Sequence, residues 1–279
     1  MDPGPERKGV EMEIVNVEPV QRAYKTPGYR PDGFEVWRGA SVIDGTPIGV
    51  VVTHLRAKPM NRKIGNMAQA WILPLDVEPI VAARTGEDRA VCGSCRFRPS
   101  AGGGCYVPIH STAQRVWWAW RKFGSYQPAE LPTLDKPLRI GAWGDPGAVP
   151  IEVWRAMRPR LPGGWTAYTH RWRELPAADW HWCMASVDSA AEQAEAHEAG
   201  WRTFRVRGAE EPLLVSERTC PSAIEAPTHD KVTCAQCRLC GSRASLDGRV
   251  IPRRDIVIIA HGHRTGLATN TIREAACAT

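Results

Sequence analysis

The sequence has no run of about 18 apolar residues, the minimum for a membrane-crossing helix. Its opening, MDPGPERKGVEME, has no apolar segment behind its charges. A secretory signal is therefore not expected, and the cytoplasm is the expected compartment. There is no internal repeat and no low-complexity tract, which sets aside solenoids and repeat arrays. Charged residues are 24% and hydrophobic residues 43%, so the protein lacks the charge excess of a disordered one. What remains is a globular protein of 279 residues, a length that suits one barrel or one large domain with insertions.

Cysteine is plentiful by contrast, with nine residues. In a cytosolic protein the spacing C-x-x-C points to metal rather than to disulfides. The formal charge of +6 is carried mostly by arginine and fits an anionic partner such as a nucleic acid or a nucleotide.

Residues 1–45 are rich in Pro, Gly and charge and read as an arm or edge element. Apolar runs at Ile48–Leu55 and Ala70–Leu75 suit strands of a buried sheet. Ser111–Lys122 reads as a helix opened by a serine cap. From Leu138 onward strands and helices alternate. Strands are expected at Leu138–Trp143, Trp165–Thr169, His181–Val187, Trp201–Val206, Leu213–Ser216 and Asp255–Ala260. Helices are expected at Pro150–Arg158 and from Ser189, whose Glu192 completes a capping box, to Gly200. This alternation implies an α/β fold with a parallel sheet, a complete or partial (β/α) barrel over residues 46–262 with cysteine-rich metal-binding loops, followed by a tail at 263–279.

Two constellations carry metal chemistry. In Cys92-x2-Cys95-x9-Cys105 the two-residue gap places two thiolates on one side of a turn, and the glycines at 102–104 allow Cys105 to fold back. Three thiolates leave one iron of a four-iron cluster free, whereas a structural zinc takes a fourth protein ligand, for which His110 is the nearest candidate. The second constellation, Cys220-x13-Cys234-x2-Cys237-x2-Cys240, can close a tetrahedral zinc or hold another cluster. Cys183 reads as core, and Cys277 lies in the tail.

Four motifs fall at expected strand ends, where parallel α/β folds place ligand-binding groups. They are Gly144-Asp145-Pro146, the segment around Thr169 and His170, Ser186-Val187-Asp188-Ser189, and Arg205-Val206-Arg207. Gly144, Asp145, Thr169, Ser186 and Arg205 are candidate cofactor contacts, with Asp145 placed to grip a ligand amine. Arg171, Arg205 and Arg207 are candidate clamps for a carboxylate or phosphate. Asp145 and Asp188 are the candidate catalytic groups, as acid–base or nucleophile, against structural alternatives in which they merely cap a helix or form a turn. His261 and His263 follow the last expected strand as ligands, proton shuttle or solvated loop residues. The twelve tryptophans suit core packing better than a base-stacking surface.

The motifs NRKIGN (61–66), Cys105-Tyr106, RIGAWGDP (139–146), WTAYTH (165–170), Cys220-Pro221 and CAQCRLC (234–240) together resemble a bacteriophage protein family, the gene-product-88 type of mycobacteriophages. More distantly, their order is similar to that of radical S-adenosylmethionine enzymes. That resemblance implies a four-iron cluster on Cys92, Cys95 and Cys105, a cofactor-binding segment at Gly144-Asp145-Pro146, further contacts at Ser186 and Asp188, and an auxiliary cysteine cluster after the barrel. The spacing here is C-x2-C-x9-C where those enzymes have C-x3-C-x2-C, and an aspartate occupies the acidic position.

The leading expectation is a phage-encoded iron–sulfur enzyme with a radical-SAM-like barrel acting on an anionic substrate, a nucleotide or nucleic acid. A zinc-stabilised barrel that modifies nucleobases is one alternative. A non-catalytic, zinc-dependent binder of nucleic acid or a host protein is the other.

Overall fold

A computed structural model describes residues 32–59, 61–228, 231–241, 254–261 and 264–277. The fold is mixed α/β with two five-stranded sheets, one of them parallel throughout. The first sheet begins as an antiparallel meander, β1 (Gly33–Ala40), β2 (Pro47–Thr53) and β3 (Ala68–Pro74), and continues with β4 (Leu138–Ile140) and β5 (Trp165–Thr166) parallel to β3. After the first residue of β2 every position in that strand is buried, and all of β3 is buried. Such continuous apolar runs belong to strands covered on both faces.

Ala167 alone separates β5 from β6 (Tyr168–Thr169), which opens the second sheet, and its carbonyl accepts a hydrogen bond from Met184 N at 3.0 Å. The second sheet runs β6, β7 (Met184–Val187), β8 (Thr203–Arg207), β10 (Asp255–Ile259) and β9 (Glu217–Thr219). The last strand in sequence thus inserts between β8 and β9, parallel to both. Leu213–Ser216, expected to be a strand, lies outside the sheet, with Val215 99% exposed. Pairing starts at Glu217 because its carboxylate is drawn inward by Arg205, with Nε–Oε1 at 2.6 Å.

Helix Ala190–Glu198 starts where the serine cap predicts: Ser189 Oγ accepts from Glu192 N at 3.1 Å. The Glu192 carboxylate reaches back one residue further than a capping box requires, accepting from Asp188 N at 2.8 Å. The helix expected at 111–122 begins at Ala113 and passes into a π-helical turn at Trp118–Lys122. That turn lets Trp120 Nε1 donate to the buried Glu35 at 2.6 Å. Eight of the twelve tryptophans are buried, so core packing accounts for most of them. The segment after 262, expected to be a tail, carries the helix Thr265–Cys277. Its Ala268 and Ile272 share a small core with Phe97 of the first cysteine loop and with Val206, Ile256 and Ile258 of β8 and β10. Residues 1–31 and His263 lie outside the described residues.

Candidate metal centre and cavity

The first cysteine loop follows β3 and is held by its own charges. Cys92 ends the short helix Arg89–Cys92. Arg98 bridges the loop, donating to Asp88 (Nε–Oδ1 2.9 Å), Gly93 O (3.1 Å) and Gly86 O (2.8 Å). Arg96 reaches across to β7 and its following helix, with Nη2 2.8 Å from Glu192 Oε1 and Nε 3.6 Å from Asp188 Oδ2. At Gly104 a Cβ would stand 2.4 Å from the backbone nitrogen of Ala268, so only glycine lets the loop press against the C-terminal helix. Cys105 is thereby returned to the neighbourhood of Cys92 and Cys95.

The second cysteine segment is held differently. Cys220 follows β9 directly, and its N donates to Val257 O at 2.9 Å. Cys234 and Cys237 lie on a one-turn helix opened by a capping box between Thr233 and Gln236. Its first two amides donate to the carbonyls of Lys63 (2.8 Å) and Ile64 (3.1 Å), within the 61–66 motif. Arg202 donates to the carbonyls of Leu239 and Gly241 and so fixes the far end beside Cys240.

Both groups face one cavity of about 260 Å³, lined by Cys92, Cys95, Cys105, Cys220, Cys234 and Cys240. Gly144, Asp145, His170 and Ser186 also line it, as do apolar side chains such as Phe97, Phe204, Val206 and Ile258. At Gly144, with φ of +86°, a Cβ would sit 2.6 Å from Ile72 O, which reserves the position for glycine. Among the described residues no three His, Cys, Asp or Glu side chains are drawn around a single point as one metal ion requires. The thiols stand around the cavity.

Their electrostatics follow from that arrangement. Burial, then the neighbouring Cys95, Asp88 and Cys105, push the Cys92 thiol well above its ordinary value. Burial lifts Cys105 to about 11 and Cys240 to about 12, with nearby cysteines adding to both. Burial thus favours the protonated form of Cys92, Cys105 and Cys240 unless a positive centre stabilises their thiolates, which is what a metal supplies.

The acidic candidates have separate roles. Every Asp145 oxygen is engaged: Oδ1 accepts from Gly147 N (2.8 Å) and Thr169 Oγ1 (2.7 Å), and Oδ2 from His170 N (2.8 Å). Its carboxylate staples the end of β4 to the end of β6, and Thr169 is the other half of that staple. Asp188 is also buried, but its Oδ1 has no hydrogen-bond partner and lies 3.9 Å from His170 Nε2. Burial raises its carboxyl to about 6 against the pull of His170 and the arginines. The same Nε2 is 3.9 Å from Cys95 Sγ. Burial opposes a charge on His170, yet Cys95, Asp188 and Asp145 outweigh it and lift the imidazole to about 10. His170 is therefore the imidazole beside the first thiol group; His110, the expected candidate, is exposed and outside the cavity lining.

The strand-end arginines are consumed by the protein. Arg205 donates to both oxygens of Glu217 (2.6 and 2.9 Å), to Glu211 (2.8 Å) and to Pro212 O (3.0 Å). Arg171 is bound to Glu174 and Gly147 O, and Arg207 to carbonyls of its own following turn. None of the three lines the cavity. The cations that do, Lys63, Arg98 and Arg139, escape the strand-end argument: Arg139 lies within β4, while Lys63 precedes β3. The one signal for them in the sequence is the pair of motifs NRKIGN and RIGAWGDP, in which Lys63 and Arg139 stand.

No helix among the described residues is long and apolar enough to cross a membrane. Comparison of the sequence and structure with models of protein families, with curated proteins and with solved structures finds no match.

Proposed function

We propose that the protein is a metal–thiolate enzyme of the iron–sulfur type, built on a partial parallel barrel similar to that of radical S-adenosylmethionine enzymes. The observation that carries this reading is that six cysteines, from segments as distant as 92 and 240, line one cavity. Convergence of thiols from distant segments on one space is the arrangement that a metal–thiolate centre requires.

The fold supports it in the order of its parts. Strands β3, β4, β5/β6, β7 and β8 are successive parallel neighbours. The three-cysteine loop follows the first of them, Gly144-Asp145-Pro146 follows the second, and His170, then Ser186 and Asp188, stand at the next two. The donor set fits an iron–sulfur centre on Cys92, Cys95 and Cys105, with three thiols and no carboxylate left unengaged on the cavity wall beside them. Cys220, Cys234, Cys237 and Cys240 supply four thiols for a second centre, a closed zinc site or another cluster.

A four-iron centre, when bound, would be held by Cys92, Cys95 and Cys105 and would supply one-electron chemistry of the kind that radical S-adenosylmethionine enzymes use for hydrogen abstraction. The protein's own residues position and shield. Gly144 lets the cavity wall pack directly on Ile72 of β3, and Ser186 offers a hydroxyl to the cavity. Asp145 acts as a positioning residue through Thr169 and His170 rather than as a free carboxylate. The phage origin belongs to the same proposal and rests on the motif resemblance.

The test is the visible spectrum and metal content of protein purified without oxygen, beside a Cys92→Ala/Cys95→Ala variant. A brown protein with thiolate-to-iron absorption that the variant loses supports the reading. A colourless protein with stoichiometric zinc overturns it in favour of a zinc-stabilised barrel. Salt-sensitive nucleic-acid binding with no turnover favours the binder.

A further inference from the structure

Two of the basic side chains on the cavity wall have no carboxylate partner among the described residues. Of its cations, Arg98 is neutralised by Asp88 at 2.7 Å. Lys63 and Arg139 take part in none of the ion pairs among the described residues. Lys63 Nζ lies 3.4 Å from His261 Nε2. The other ring nitrogen, Nδ1, is 2.8 Å from Ile259 O, an atom that only accepts, so Nδ1 is the donor there. Lys63 thus has an imidazole rather than a carboxylate beside it. Arg139 sits on β4 between two inward-packed neighbours, Leu138 and Ile140, and its side-chain partner is the Tyr106 phenol. The two cations share one neighbourhood, since both act on Cys234. The nearby walls are apolar and aromatic: Tyr168 packs against Phe204 with ring centroids 4.6 Å apart.

Two half-buried cations that line one cavity and have no carboxylate of their own can pair with an anionic ligand that enters it. An aromatic wall beside them favours a ligand with an apolar or planar body. We infer that the cavity binds a small organic anion, with its phosphate or carboxylate group held between Lys63 and Arg139 and its apolar or planar body against Tyr168 and Phe204. This rests on the reading of the cavity as the reaction chamber and names the class of substrate it admits. It also moves substrate recognition away from the strand-end arginines to two residues on the cavity wall.

Calorimetric titration of the anaerobically purified protein with adenosine 5′-monophosphate and with indole-3-acetate separates the phosphate and carboxylate forms of the anion. Uncharged adenosine is the control, and metal content is measured on the same samples. At least one anionic probe is expected to bind saturably, adenosine at least tenfold more weakly. Lys63→Met and Arg139→Gln are each expected to weaken the anion at least tenfold while metal content stays at the wild-type level. If neither anion binds, if adenosine binds equally well, or if both variants bind as wild type does, the inference is wrong. Variants that instead lose metal show that the two cations serve as counter-charges to the thiolates, which also overturns it. Wild-type protein that binds the anion but holds no metal keeps this inference and sinks the metal reading; metal-loaded protein that binds no anion does the reverse.

Discussion

The two cysteine groups share a cavity yet are built on opposite principles. The first is anchored by ionic side chains: Arg98 to Asp88 and two carbonyls, Arg96 to Glu192 and Asp188, with Phe97 buried in a core. The second hangs on backbone contacts to residues 63 and 64 and on Arg202, and its one-turn helix has no buried residue. A loop with its own charge network keeps its shape without a ligand. A segment with few apolar contacts depends on what its thiols bind.

The strongest way to break this comparison is to remove the metal. With a chelator under reducing conditions, residues 231–241 are expected to become sensitive to protease while residues 89–105 stay protected. Melting is expected to fall by about 10 °C, as the loss of a few kcal/mol implies in a protein of this size. Equal protection of both segments, read by limited proteolysis and mass spectrometry, would contradict the contrast.

Next in size is Arg98→Ala. It strands Asp88, 1% exposed, without its cation, and is expected to cost about 3 kcal/mol in chemical denaturation. Most of the loss should persist without metal, because the Arg98–Asp88 pair is made by the protein's own side chains. Arg202→Ala removes the donors for Leu239 O and Gly241 O and is expected to cost about 2 kcal/mol. Here the loss should grow when metal is stripped, and a metal-independent effect would erase the distinction.

The smallest effect is a pH dependence. The folded Asp188 carboxyl, raised by burial to about 6, lies above its unfolded value. A raised carboxyl favours folding in its protonated form, so its contribution is present at low pH and is lost as pH rises through about 6. Asp188→Asn is therefore expected to gain stability over the wild type between pH 5 and pH 8, by about 2 kcal/mol at most. A constant difference across that range would show that Arg96 and His170 already compensate the charge.

Much of the scaffold is written locally. The apolar runs of β2, β3 and β10 and the Ser189 cap each depend on residues close in sequence, and each stands where its pattern points. What the sequence hides are choices among distant partners. Arg205, Arg171 and Arg207 look like ligand clamps until Glu217, Glu174 and backbone carbonyls claim them. Asp145 looks like a free acid until three donors converge on it. His170 gains its meaning from Cys95, 75 positions earlier, and His110 loses it by facing solvent. The order of β9 and β10 is likewise invisible, because no local pattern states which strand inserts between two others.

That inserted strand has a consequence for the order of assembly. β9 lies at the edge of its sheet and pairs with β10 alone. During synthesis, β9 and Cys220 emerge with Glu217 already within reach of Arg205 but with no strand to pair with, and that pairing must wait until residues 255–259 arrive. The first cysteine loop needs no further strand once β3 to β8 are made, although its contact with Ala268 completes later. Both groups of thiols therefore wait on the last part of the sequence, the second for a strand to pair with and the first for the helix that Gly104 packs against.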